Sequence, residues 1–214
     1  MKNKIFHTQD LCLRTNLRCA KMGIIMIRKA ELKDIPAVMD IYNDAILHTT
    51  ATFDTEIKDY EDRLAWFQAH TGQYVFFVDE EAGTVAGYAS LSRYRERKAF
   101  DPAVEISIYI HAGYRGRGIG RSLMEKTLQY AKECPQIGTV VSLITSENEV
   151  SIRLHERFGF SYCGQIRQAG VKFGRKLGLN AYQIIYDREI EYTEPVVVAS
   201  SLDDEDCDAI DAGL

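Results

Sequence analysis

The sequence predicts an α/β (α+β) fold, a mixed sheet flanked by helices on both faces. Segments with apolar residues at three-four spacing alternate with short apolar runs rich in Val, Ile, Tyr and Thr. Glu80-Glu81-Ala82-Gly83 stands between two such runs as a hairpin turn, and the run Val104 to Ile110 passes through a glycine-rich turn into an amphipathic segment at 118 to 133. With 214 residues, 46% apolar and 27% charged, the chain is long enough for one sizeable core and too short for two comfortable domains. No stretch of eighteen apolar residues occurs, so no helical membrane span and no membrane partner are expected.

Each element has its own signal. Met26-Ile27-Arg28-Lys29-Ala30 reads as a first strand. Asp34 ahead of Ile35-Pro36 marks a helix start, since proline is tolerated in the first turn, and Ile35, Val38, Tyr42, Ala45 and Ile46 form its apolar face. A second helix is expected near Lys58 to His70, stopped by Gly72. Tyr74 to Val78 and Thr84 to Ser92 make the hairpin, and the strand from Val104 follows. The next helix carries Ile119, Leu123, Met124, Thr127, Leu128 and Ala131 on one face. Strand Thr139 to Thr145, helix 148 to 158 and strands near 160 to 168 and 180 to 187 complete the body, which contains no internal repeat.

The formal charge of -5 is unevenly spread. Residues 1 to 25 carry five basic groups and one acidic; 191 to 214 carry eight acids and no base, which leaves the body near neutral. We therefore expect an extension at 1-25 and an acidic tail at 191-214, with a short strand at Glu194-Pro195-Val196-Val197-Val198, around a folded body at 26-190, and neither end is expected to carry chemistry. A neutral body gives no reason to invoke nucleic acid, whose binding leans on many Lys and Arg contacts to phosphate. Five cysteines, odd in number and without Cys-x-x-Cys spacing, argue against a disulfide framework or a zinc site. A reducing, cytoplasmic setting without a metal is the expectation.

Arg115-Gly116-Arg117-Gly118-Ile119-Gly120 carries the most chemistry. An anion placed where a strand enters a helix meets unpaired N-H groups and the positive end of the helix. Residues without Cβ let the main chain approach a pyrophosphate closely, and the two arginines add charge-assisted contacts. A dinucleotide fingerprint needs glycines at i, i+2 and i+5, but Gly116 and Gly118 are followed by Arg121; a P-loop needs Gly-Lys-Ser/Thr, which is absent.

This segment resembles the Arg/Gln-x-x-Gly-x-Gly/Ala signature of the GCN5-related N-acetyltransferases (GNAT), which cradles the pyrophosphate of acetyl-coenzyme A. Asn148 to Phe160, ending Leu154-His155-Glu156-Arg157-Phe158-Gly159-Phe160, is similar to the second coenzyme-contacting helix of that family. Thr52-Phe53-Asp54-Thr55-Glu56, Val104 to Ile110 and Gly170-Val171-Lys172-Phe173-Gly174-Arg175 narrow the likeness to the phosphinothricin acetyltransferase and L-amino acid N-acetyltransferase branch. The resemblance covers about Met26 to Arg188. It implies a mostly antiparallel GNAT sheet, a homodimer, acetyl-coenzyme A as co-substrate, and a small amine as acceptor.

Acyl transfer to an amine requires a base, stabilisation of the carbonyl oxygen, and relief of the leaving thiolate. Glu105 is the expected base, a lone carboxylate in an apolar strand, where burial raises a carboxyl pKa; the resemblance places the base there too. The oxyanion is expected on a backbone N-H around Ile106 to Ile108. For the third role the resemblance points to His155, where most of the superfamily has tyrosine; a helix histidine that merely hydrogen-bonds a neighbour is the alternative. Ser151 and Cys163 are expected to be structural.

Coenzyme contacts are expected from Ile108, Tyr109 and Ile110 along the pantetheine arm, from Arg115, Gly116, Arg117, Gly118, Ile119, Gly120 and Arg121 at the pyrophosphate, and from Asn148, which doubles as a helix cap. The resemblance also assigns Arg95, Arg97, Phe100, Phe53 and Lys172 to the acceptor pocket, where such cations would hold a carboxylate or phosphinate. Relatives read approximately Gly-x-Trp-x-Asp where this chain has Gly174-Arg175-Lys176-Leu177-Gly178, so the reaction is better indicated than the acceptor. The readings are acetylation of the α-amine of an amino-acid-like molecule such as phosphinothricin, methionine sulfone or methionine sulfoximine, acetylation of a protein N-terminus or amine antibiotic, or coenzyme binding without chemistry.

Overall fold

Residues 25-190 are described by the computed structural model. The extension, the acidic tail and the strand expected at 194 to 198 lie outside those residues, apart from the last residue of the extension. Four strands, β1 (Ile25–Lys29), β2 (Val75–Glu81), β3 (Thr84–Arg93) and β4 (Ala103–Ile110), form an antiparallel meander. β5 (Thr139–Thr145) joins β4 in parallel. β6 (Ser161–Lys172) and β7 (Arg175–Ile185) then complete an antiparallel flank in the order β1-β2-β3-β4-β5-β7-β6.

Helices cover both faces. On one lie α1 (Ile35–His48) and α2 (Tyr60–Gln68), whose Val38, Ile41, Trp66 and Phe67 pack on Phe76, Val78 and Tyr88. On the other lie α3 (Ile119–Glu133) and α4 (Glu149–Arg157). There Leu123 and Met124 meet Leu91, Val104 and Val140 in the main core, with Ile152 and Leu154 of α4 packed against it. The apolar spacing of α3 thus does what amphipathic periodicity requires, turning one stripe inward and leaving the rest to water. Leu128 is only partly buried, and Thr127 is wholly enclosed.

Local chemistry sets the boundaries. Pro36 opens α1 as expected, and an Arg28 fork holds Asp34 at 2.7 and 2.8 Å while reaching Glu80 at 2.9 Å, tying β1, α1 and β2 together. α2 is shorter than the sequence suggested, because the Asp59 carboxylate caps it by accepting from the Asp62 N-H at 2.8 Å and Ala69 already closes it. The β2-β3 hairpin turns on Ala82 and Gly83, at φ of 50° and 83°.

The largest departure lies at the far edge. We expected strands ending near 168 and restarting near 180; instead one continuous hairpin runs from Ser161 to Ile185 through a two-residue turn at Phe173-Gly174. Gly170 and Gly178 look like breaks in the sequence but sit inside the strands. At Gly170 the ring of Phe53 packs where a Cβ would come within 2.6 Å of it; at Gly178 the side chains of Ser146 and Gln165 crowd in. Lys176 is exposed on β7.

β2 contains one anomaly. Asp79 alternates with Phe77, so it points toward α3, paired in register with Ile27 and Gly87 beside a bulge. It is 0% exposed, and neither carboxylate oxygen has a hydrogen-bond partner among the described residues. Burial, reinforced by nearby Glu81, pushes its pKa up to about 6.

Candidate active site

β4 and β5 run together only at their start. Ala103, Val104 and Glu105 pair with Thr139, Val140 and Val141; beyond that the strands part, β5 continuing against β7 as far as Thr145 and β4 against β3. The split leaves one edge of β4 from Ile106 to Ile110 unpaired with β5. It opens a cleft of about 750 Å³ lined by that edge, by β5 at Ser142 to Ile144, by the start of α3 and by α4. An extended ligand with amide groups could complete the missing strand pairing.

The cleft leads to the turn 115 to 120. Gly116 and Gly118 adopt φ of 79° and 85°, and α3 begins at Ile119 with no side chain capping it. Among the described residues its first N-H groups have no intrahelical or side-chain acceptor, and the glycines expose them. This cradle fits a diphosphate. Arg115, Gly116, Gly118, Ile119, Gly120 and Arg121 line the cleft, but Arg117 does not: its guanidinium reaches the Gly113 carbonyl at 3.1 Å and Glu81 at 3.4 Å, stacked over Tyr114. Arg115 spans the cleft mouth to Asp44 of α1 at 3.2 Å.

Glu105 stands at the last paired position before the split. Because it alternates with the core residues Val104 and Ile106, its side chain belongs with Ser107 and Tyr109 on the α1/α2 face. Burial raises its carboxyl above the ordinary range, and Arg95 partly opposes the rise. Asn148 caps α4, its side-chain oxygen accepting from the Ser151 N-H at 3.2 Å, and also lines the cleft.

His155 lies on the opposite face, behind β5. Its Nδ1 is 2.8 Å from the Ser151 carbonyl and its Nε2 is 2.9 Å from Ser142 Oγ. Burial holds the imidazole below the usual histidine range, against the raising effect of the Ser151 carbonyl. The ring is thus neutral, and since a carbonyl can only accept, Nδ1 carries the hydrogen and Nε2 accepts from Ser142.

The expected acceptor residues form two groups. Phe53 leans on Gly170 of β6, near buried Lys172, whose Nζ donates to the Thr52 carbonyl at 2.8 Å. Burial lowers Lys172, and Asp54 pulls the other way. Arg95 and Phe100 both contact Tyr94 on the loop after β3, while Arg97 is exposed beside them. Neither group lines the coenzyme-sized cleft. The sequence reading missed Tyr42, assigned only to an apolar face. Its hydroxyl bonds Asp54 at 2.9 Å and Thr52 at 3.1 Å, and its ring meets Tyr109 edge-on. It also missed Ser142, although a polar residue in an apolar strand was the very signal that singled out Glu105.

A sheet split between a β4 edge and β5, ending at an uncapped glycine-lined helix, defines a transferase built for a long phosphorylated carrier. The chain belongs to the acetyltransferase (GNAT) family, whose model matches residues 36–160, and it is an N-acetyltransferase. It is 39% identical to the L-amino acid N-acyltransferase MnaT of Escherichia coli (strain K12) over 79% of this chain and 96% of that one. It is 41% identical to an L-methionine sulfoximine/L-methionine sulfone acetyltransferase of Salmonella typhimurium over 75% and 94%. Among solved structures, yncA from Salmonella typhimurium, determined with its cofactor acetyl-CoA, superposes with a TM-score of 0.75 at 39% identity, covering 78% of this chain and 97% of that one. The seven-strand mixed sheet between paired helices agrees with the fold the sequence predicts.

Proposed function

We propose that this N-acetyltransferase moves the acetyl group of acetyl-coenzyme A to the α-amino group of a small amino-acid-like acceptor, of the methionine sulfone, methionine sulfoximine or phosphinothricin type. The observation that carries the reading is the unpaired β4 edge leading directly to the uncapped start of α3. Ile108 to Ile110 would hold the pantetheine amides, and Arg115 to Gly120 with Arg121 the pyrophosphate, Arg117 acting from the rim. Asn148 bounds the arm on the α4 side.

The reaction then proceeds by direct attack. The amine enters from the α1/α2 face and the thioester from the α3/α4 face, meeting where the strands part. Glu105 removes the ammonium proton; a carboxylate with a raised pKa is a stronger base near neutrality. Backbone N-H groups around Ile106 to Ile108 stabilise the oxyanion. His155, neutral and on the thioester side, takes the second N-H proton as the amide forms and gives it to the departing thiolate. Lys172, Arg95 and Arg97 supply positive charge for the acceptor's acidic group, between the rings of Phe53 and Phe100.

Residues 26-190 form the catalytic domain in this reading, and no chemistry is assigned to 1-25 or 191-214. The exposed Tyr162, Ile166, Val171 and Phe173 on the edge hairpin support a homodimer. Free Cys134 and Cys163 fit a reducing, cytoplasmic setting. Among the described residues no helix is long and apolar enough to cross a membrane, and no group of three His, Cys, Asp or Glu could hold a metal.

The test is a panel of amino-acid analogues, N-terminal peptides and amine antibiotics incubated with acetyl-coenzyme A while thiol release is followed. Methionine sulfone, methionine sulfoximine or phosphinothricin should give the highest kcat/KM, and Glu105→Gln should lower it by roughly 10² to 10⁴. Preference for a peptide N-terminus or an antibiotic would replace the acceptor; equal thiol release by wild type and Glu105→Gln with coenzyme still bound would leave only a binding module.

A further inference from the structure

The cleft holds a nucleophile that amine transfer does not use. Ser142 shares the α3/α4 face of β5 with the core residues Val140 and Ile144, and it lines the cleft together with His155. The two are 2% and 4% exposed. Ser142 Oγ lies 2.9 Å from His155 Nε2, and His155 Nδ1 lies 2.8 Å from the Ser151 carbonyl. A hydroxyl within hydrogen-bond reach of an unprotonated imidazole nitrogen, with the ring oriented by a third group on its other nitrogen, is the arrangement that activates a serine. A backbone carbonyl takes the place usually held by a carboxylate.

The neighbouring candidates lack this geometry. Ser151 Oγ is 3.3 Å from Nδ1, the nitrogen that already carries the hydrogen, so His155 cannot take its proton there. Cys163 is exposed on the edge strand, and its thiol contacts a backbone carbonyl 3.6 Å away rather than a base. Across the split from Ser142 stands the β4 edge freed of β5, whose N-H groups are the expected oxyanion donors for the amine reaction and would serve a serine adduct equally.

We propose that Ser142 accepts the acetyl group of acetyl-coenzyme A when no amine is bound and passes it to water, giving the protein a second, slow thioester hydrolase activity. The inference rests on the cleft being the acetyl-coenzyme A site. In the first step the Ser142 hydroxyl proton moves to His155 Nε2 while Oγ bonds to the thioester carbonyl carbon. The carbon-sulfur bond then breaks, and the departing thiolate takes the proton from Nε2, leaving an acetyl-serine ester and free coenzyme A. In the second step a water molecule gives a proton to Nε2 and its oxygen attacks the ester. Acetic acid departs as the carbon-Oγ bond breaks, losing its proton to solvent, and Ser142 recovers its own proton from Nε2. The burial that keeps His155 neutral makes each transient imidazolium costly, so both steps are slow; Ser142 is 2% exposed, so water reaches the ester poorly, the second step is the slower and the ester accumulates.

The full chain incubated with acetyl-coenzyme A and no amine, acid-quenched and mapped by mass spectrometry, should show one added acetyl group on Ser142 and a matching burst of thiol, followed by slow further release. Ser142→Ala and His155→Gln should show neither, and Ser142→Cys should carry the acetyl as a thioester. Glu105→Gln should still acquire the adduct, since a different base serves this step. Calorimetric titration with coenzyme A reports on the pocket separately. A wild type that binds no coenzyme A fails the cleft assignment itself. Binding without acetyl on Ser142, or thiol release undiminished in Ser142→Ala, overturns the nucleophile and leaves the cleft standing; if Ser142→Ala does not fold, the location of the acetyl on wild type decides alone.

Discussion

Replacing Asp79 by Asn should change how stability depends on pH, by an amount the structure sets. Asp79 is enclosed between β1, β3 and α3 without a hydrogen-bond partner among the described residues, and its pKa stands at about 6 against an ordinary 3.8. The folded state therefore holds this proton more tightly than the unfolded chain. With a raised folded pKa, the contribution to stability is fully present below about pH 4 and is lost as pH rises through about 6. A difference of about two units at 1.36 kcal/mol each gives roughly 3 kcal/mol, the cost of ionising the carboxyl in place above that range. Asn keeps the shape and removes the ionisation. Urea unfolding of wild type and Asp79→Asn at intervals from pH 4 to 8 should give nearly equal stabilities at the acid end and a variant about 3 kcal/mol more stable at the alkaline end. At 150 to 250 residues this corresponds to roughly 6 to 12 °C in Tm. A difference that stays constant across the pH range would refute the argument, because it would mean that Asp79 ionises as easily inside the fold as outside it.

Two further variants address the phosphate turn. Arg115→Ala should weaken coenzyme A affinity, measured calorimetrically, without moving the pH optimum, and should leave the KM for S-acetylpantetheine, which lacks the diphosphate, unchanged. Asp44→Asn should tighten coenzyme A a few-fold, since it releases Arg115 from a half-exposed pair whose worth is about 0 to 1 kcal/mol; an unchanged Kd would show that the pair does not compete with phosphate.

Much of the fold was legible because the elements that build the core obey simple periods. The three-four spacing of α1 and α3, Pro36, the Ala82-Gly83 turn and the apolar run of β4 each have one local cause, and the structure adds little to them. The β6-β7 hairpin was illegible for the opposite reason. Its glycines at 170 and 178 serve distant side chains, Phe53 in one case and Ser146 with Gln165 in the other, and no local rule separates a glycine that ends a strand from one that makes room inside it. The Phe173-Gly174 turn was hidden because Phe173 itself takes a positive φ of 52°.

The same limit governs the site. Glu105 and Ser142 are alike in sequence, each a polar residue inside an apolar strand, whereas Asp79 opens the acidic run Asp79-Glu80-Glu81 at the end of one; burial without compensation is costly for all three. What separates them is the partner each finds across the sheet. Asp79 finds none among the described residues and is held closer to neutrality; Ser142 finds the imidazole of His155; Glu105 finds the opposing charge of Arg95 at the point where β4 leaves β5. The strand pattern can thus nominate a residue for chemistry but cannot say whether it is a base, a nucleophile or a strained carboxyl. That decision rests on register, on which side of the β4-β5 split the side chain falls, and on the helix that covers it.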